Sequence, residues 1–168
     1  GVDDDVDILH RLHQPGAVFL FAAKGAGGIG RKLGVGLGVP DLIVDPVEDA
    51  VQIARTVTGH EGVIVNEHSY HGNSELVHLL STDSYPAAER PTWVGVVEPP
   101  DVYRGPFREP EPGLADRYAA DVERAAGALD EAGHGVAAWL VDTSWDSTGV
   151  LVAPDGYEAM KIARSESP

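Results

Sequence analysis

Tyr70 and His71, followed by Gly72, place a phenol beside an imidazole, and Asp142 ends the apolar run Trp139-Leu140-Val141. A phenol and an imidazole are hydrogen-bonding and general acid-base groups, and a nearby carboxylate can orient an imidazole or act as a base itself. Tyr70, His71 and Asp142 are therefore the candidate catalytic residues. Trp145 and Ser144 in the segment after Asp142, and Arg104 in a proline-rich stretch, are candidates for holding a substrate. A metal alternative uses His71, Glu75 and His78, with His68 near them, because Glu75 and His78 stand at the i, i+3 spacing of carboxylate and imidazole ligands. Gly72-Asn73 is expected to break the helix between His71 and Glu75. A third constellation is Gly25, Gly27 and Gly30 after an apolar run, with Asp45 twenty residues beyond Gly25. That spacing matches a dinucleotide-binding fingerprint for NAD(P), but Gly34, Gly36 and Gly38 make poor helix material, and the plainer reading is a closely packed glycine loop. Lys24, beside that loop, could meet an anion or carbonyl, or be a solvated loop-edge lysine.

The elements that must position these groups follow from periodicity. Val6, Leu9 and Leu12 fit a short helix ended by Pro15-Gly16. Ala17–Ala22, Leu42–Val44, Gly62–Val65, Thr92–Val97 and Val136–Val141 read as strands, the first apolar on both faces as in a parallel sheet covered by helices. Pro46 suits the first turn of a helix over 47–57 with Ala50, Val51, Ile53, Ala54 and Val57 as its apolar face and Thr58-Gly59 as its stop. A second helix runs from Ser74 to about Leu80. A third spans Ala115–Ala132, with Tyr118, Val122, Ala125, Ala126 and Leu129 inward and Gly133 as its end. A last helix starts at Tyr157, and Glu98 to Gly113 is loop. Strands alternating with helices predict a three-layer α/β domain with a mainly parallel sheet, whose ligands lie beyond the carboxyl ends of the strands. Tyr70, His71 and Asp142 all fall at that edge.

The chain carries 12 Lys and Arg against 27 Asp and Glu, a formal net charge of -15 that repels phosphate backbones and anionic membranes, so nucleic acid is not an expected partner. Without cysteine there is neither disulfide nor thiolate chemistry. Ala17 to Ala23, the longest apolar stretch, is far shorter than the ~20 residues of a membrane helix. The acidic opening lacks the basic start and apolar body of a signal peptide, and a cytoplasmic, single-domain protein is expected.

Three landmarks, Tyr70-His71-Gly72, Pro100-Asp101-Val102-Tyr103-Arg104-Gly105 and Pro154-Asp155-Gly156-Tyr157, carry a family resemblance. Across about 47–158 the chain resembles the large domain of class III aminotransferases, in the branch of alanine-glyoxylate aminotransferase 2-like proteins and amino-alcohol phosphate phospho-lyases. The resemblance implies a reduced version of the fold type I, pyridoxal phosphate-dependent transferase domain. It also implies that Tyr70 would stack on the pyridine ring with His71 beside it, and that Asp142 takes the place of a family glutamate. The family's Schiff-base lysine lies well downstream of the last landmark, whereas this sequence stops at Pro168. Where the family cups the cofactor phosphate with glycine and serine, Asp41-Leu42-Ile43-Val44-Asp45-Pro46-Val47 offers neither glycine nor hydroxyl and two carboxylates. The expectation is a domain that has lost transamination and does cofactor-independent lyase, cyclase or isomerase chemistry on a small molecule in a biosynthetic pathway, as a homodimer or larger homo-oligomer. The alternatives are a non-catalytic dimerising or partner-binding remnant, and a pyridoxal phosphate protein using Lys24 or another subunit's lysine.

Overall fold

Among the described residues, four strands, all paired in parallel, make the sheet: β1 (Val18–Ala22), β2 (Gly62–Asn66), β3 (Val94–Val97) and β4 (Val136–Asp142), in the order β1-β4-β2-β3. The computed structural model describes residues 45–84, 86–142 and 144–157, and the backbone of 18–22. The expected helix over Val6–Leu12, the strand Leu42–Val44 and the glycine stretch Gly25–Gly38 lie outside the described residues, as does the last helix beyond its first residue, Tyr157.

Helix α1 (Pro46–Thr58) begins with Pro at its first position and ends on Gly59, whose φ of 70° is the left-handed conformation that suits glycine. The short α2 (Glu75–Leu79) follows β2, and α3 (Leu114–Glu131) links β3 to β4. Both faces of the sheet are covered. On one, Val51, Ala54 and Leu80 pack on Val63, Val65, Ala138 and Leu140. On the other, Tyr118, Val122, Ala125, Ala126 and Leu129 pack on Ile64, Val97, Trp139 and Val141. The layering follows from handedness. The chain moves one way along the sheet from β1 to β2 to β3 and reverses from β3 to β4, so right-handed crossovers put α3 on the face opposite α1 and α2. This is the predicted three-layer α/β architecture.

Two expectations need correction. Ile53 and Val57, read as part of the inward face of α1, are 61% and 64% exposed. The helix instead meets the sheet along Val47, Val51 and Ala54, a narrower stripe. At the flank Arg55 lays its guanidinium 4.4 Å from the centre of the Trp93 ring and donates to the Glu61 carbonyl. Likewise, β3 starts at Val94 rather than Thr92, because Pro91 turns the chain and its carbonyl accepts from Val94 N.

Candidate functional site

The carboxyl edge of the sheet collects the residues of interest. From Asn66, the last residue of β2, residues 67–72 run along the edge without belonging to a strand or helix. Their alternate amides are nonetheless satisfied: Glu67 N donates to the Val97 carbonyl at 2.8 Å, Ser69 N to Thr82 Oγ1 at 2.9 Å, and His71 N to Ser81 Oγ at 2.9 Å. The Thr82 hydroxyl donates in turn to the Asn66 carbonyl, as does Ser69 Oγ. Arg90 braces the entry with a two-pronged contact to Glu67 at 2.7 and 2.6 Å, a geometry that fixes both planes. Gly72 turns the chain at φ 150°, and a Cβ there would stand 3.2 Å from Asp45 Oδ2 and 3.1 Å from Val77 Cγ1. The loop thereby abuts the start of α1.

At that helix end Asp45 is the cap, its Oδ1 accepting from Val47 N at 3.0 Å and Glu48 N at 3.3 Å. Pro46 has no amide hydrogen to offer, and Glu48 and Asp49 add two carboxylates to the first turn. Of the dinucleotide constellation, Asp45 caps α1 through its Oδ1, while Gly25, Gly27, Gly30 and Lys24 lie outside the described residues. For the metal alternative, no three His, Cys, Asp or Glu side chains converge among the described residues. The turn at Gly72 and the fresh start of α2 after Ser74 take His71 out of helical register with Glu75 and His78.

Asp142 ends β4, the neighbour of β2, and is buried. Its Oδ1 accepts from Ser144 N at 2.9 Å and its Oδ2 from Asp146 N at 3.0 Å, so the carboxylate organises its own turn. Ser144 takes part through its backbone. Trp145 turns inward, 3% exposed, with its ring 6.3 Å from that of Tyr157 in the core under α3. Arg104 is mostly exposed, its Nε 3.5 Å from Asp101 Oδ2, and a Cβ added to Gly149, beyond the Asp142 turn, would stand 3.7 Å from its Nη2. The structure therefore brings Tyr70 and His71 to the end of β2 and Arg104 near Gly149, while Trp145 belongs to the interior.

The motif Pro100–Gly105 has a structural logic of its own. Asp101 Oδ1 accepts from Tyr103 N and Arg104 N, both at 2.9 Å, and the Tyr118 hydroxyl donates to the carbonyls of Asp101 and Phe107. Gly105 has no room for a Cβ, which would overlap the Asp101 carbonyl oxygen and the Tyr118 hydroxyl. Burial works to raise the Asp101 carboxyl, but the two amides and the Arg104 guanidinium outweigh it and hold it below the usual carboxylate range. Burial pushes the Tyr118 phenol up, helped by the charges of Asp101 and Glu98, which keeps it protonated. Beside this loop a cavity of about 790 Å³ lies among Val102, Glu109–Glu111, the start of α3 and Val152–Gly156. Neither Tyr70, His71 nor Asp142 is among the residues that line it.

Sequence reading missed Glu67, Ser69, Ser81, Thr82 and Arg90. Two small hydroxyls directly after an apolar helix are a faint signal; Glu67 and Arg90, 23 residues apart, leave none.

No protein-family model matches the chain. It is 32% identical over 114 residues to an alanine-glyoxylate aminotransferase 2-like protein of Drosophila melanogaster and 30% identical over 120 residues to an ethanolamine-phosphate phospho-lyase homolog of Caenorhabditis elegans. Each match takes in 64% of this chain and only 23% and 26% of the relative, so the chain spans about a quarter of the length of these proteins. Among solved structures, a phospholyase from Arthrobacter in complex with phosphoethanolamine aligns at a TM-score of 0.61 with 34% identity, over 71% of this chain and 28% of that one. A taurine:2-oxoglutarate aminotransferase from Bifidobacterium kashiwanohense, in complex with PLP and glutamate, aligns at 0.55 with 20% identity over 71% and 28%, a likeness of fold. At the start of α1, where the resemblance would put the phosphate of pyridoxal phosphate, the amides of Val47 and Glu48 are taken by Asp45, and Glu48 and Asp49 bring two further carboxylates. With the Tyr70 and Pro100 motifs set on a matching fold and matching sequence, the stretch shared with these proteins belongs to the class III aminotransferase family.

Proposed function

We propose that this chain is an aminotransferase-family domain whose carboxyl-edge site works on a small molecule by acid-base chemistry, of lyase, cyclase or isomerase type, without seating pyridoxal phosphate at α1. The observation that carries the reading is the carboxylate of Asp45 on the amides of Val47 and Glu48, where a phosphate would need open donors. Tyr70 and His71 are the proton-handling pair, held at the end of β2 by the bonded loop. Asp142 shapes the adjacent turn, since both its oxygens are engaged by backbone amides. The kinship with phospho-lyases and aminotransferases supports an amine-bearing substrate, and the acidic surroundings of α1 favour its cationic end over a phosphate.

The test is a spectroscopic titration with pyridoxal phosphate. Intact protein is expected to develop no imine absorbance and no borohydride-fixed adduct, while Asp45→Ser, which keeps a capping oxygen and removes the charge, should gain at least about tenfold in affinity for the cofactor. A stoichiometric imine on the unaltered chain sinks the proposal. Exposed Tyr103, Val150 and Val152, at 83%, 68% and 83%, favour a second reading as a self-associating or partner-binding domain. Sedimentation of the chain alone and with a full-length family member tests that reading, and a monomer under both conditions removes it.

A further inference from the structure

We infer that Ser81 and Thr82 are positioning residues for Tyr70 and His71, an inference that rests on the proposed role of that pair. A loop leaving a strand normally loses its ladder partner and drifts. Here the partner is rebuilt from side chains. The amides of residues 67, 69 and 71 meet, in order, a carbonyl of β3, the hydroxyl of Thr82 and the hydroxyl of Ser81, so the spacing of a strand continues three bonds past Asn66. The Asp83 amide donates back to the Ser69 carbonyl, which makes the pairing two-way. Both hydroxyls are sealed from solvent, Ser81 at 0% and Thr82 at 5% exposure, and both are anchored: Ser81 Oγ donates to the Val77 carbonyl of α2 at 3.1 Å, and Thr82 Oγ1 to the Asn66 carbonyl at 2.9 Å. Arg90 Nη2 reaches the Thr82 carbonyl while holding Glu67, tying the two sides together once more. The Ser81 and Thr82 hydroxyls bond the backbone of residues 66, 69, 71 and 77, and so fix the origin from which the Tyr70 and His71 side chains project. Geometry of this kind, backbone pinned from beneath on either side of Tyr70, is what a proton-handling pair requires to hold its reach within a few tenths of an ångström.

The test uses the full chain with isotope-labelled histidine, the His71 signals being assigned by their loss in His71→Gln. Ser81→Ala should speed exchange of the His71 amide at least tenfold and shift the midpoint of the His71 ring titration, with the signals of His60 and His134 unmoved. Ser81→Thr, which retains the hydroxyl, should restore both readings. Thr82→Val, in a serine-labelled sample, should speed exchange of the Ser69 amide at least tenfold. Because Ser81 is fully buried, Ser81→Cys, close in size but a poor acceptor, serves if the alanine variant does not fold. Unchanged His71 exchange and titration in a folded Ser81→Ala or Ser81→Cys protein overturns the clamp. A His71→Ala protein that keeps full turnover would instead overturn the role of His71 and leave the clamp standing.

Discussion

Neighbouring strands β2 and β3 release two very different loops at the same edge of the sheet. Residues 67–72 are caught by small buried hydroxyls at successive alternate amides. The crossing after Val97 is gathered by one large side chain, Tyr118 of α3, whose hydroxyl serves the carbonyls of Asp101 and Phe107, and by Asp101 capping its own turn. The first arrangement constrains backbone points beside Tyr70 and His71. The second constrains a scaffold and leaves its tip, Tyr103 and Arg104, outside. A loop stitched from beneath suits groups that must hold a position to do chemistry, whereas a loop pinned at its root suits a presented surface.

The contrast can be broken most forcefully at Gly105. A Cβ there overlaps a backbone oxygen and the Tyr118 hydroxyl at once, so Gly105→Ala should cost about 3 kcal/mol in urea unfolding, with loss of the ordered crossing. A cost under about 1 kcal/mol would show that the crossing is loosely held. Next come the two kinds of fastening, compared directly. Tyr118→Phe and Thr82→Val each strand buried backbone partners and should each cost about 1–3 kcal/mol, but only the second should alter exchange at Ser69. Equal effects on that amide would erase the distinction between the loops.

The smallest expected effect concerns acid. Asp101 titrates below its ordinary range in the folded state, so its stabilisation is complete above the unfolded carboxylate value of about 3.9 and is lost as pH falls from there through the folded value. Asp101→Asn should flatten the stability profile in that window only. An unchanged slope below pH 4 would argue that the turn does not depend on the charge.

Much of the scaffold was legible in the sequence because it is written locally. The inward set of α3, Tyr118, Val122, Ala125, Ala126 and Leu129, follows from helical periodicity, and all five are buried. Pro46 and Gly59 mark the ends of α1 through fixed φ and tolerated φ, and unbroken apolar runs announced parallel strands covered on both sides. The site was legible only in outline. Residue type and order named Tyr70, His71 and Asp142, but nothing local says that both Asp142 oxygens turn back on Ser144 and Asp146, or that Trp145 faces the core.

What the chain determined by itself is therefore the set of elements and the edge to which its polar groups go, since periodicity, capping and turn chemistry act within a few residues. Only the folded arrangement decided which hydroxyls meet which amides across 10 and 13 residues of separation, why Ile53 and Val57 stay outside, and that Asp45 and Gly72 share a corner. Those outcomes depend on distances between elements, set when the two faces of the sheet are packed, and a linear pattern carries no record of them.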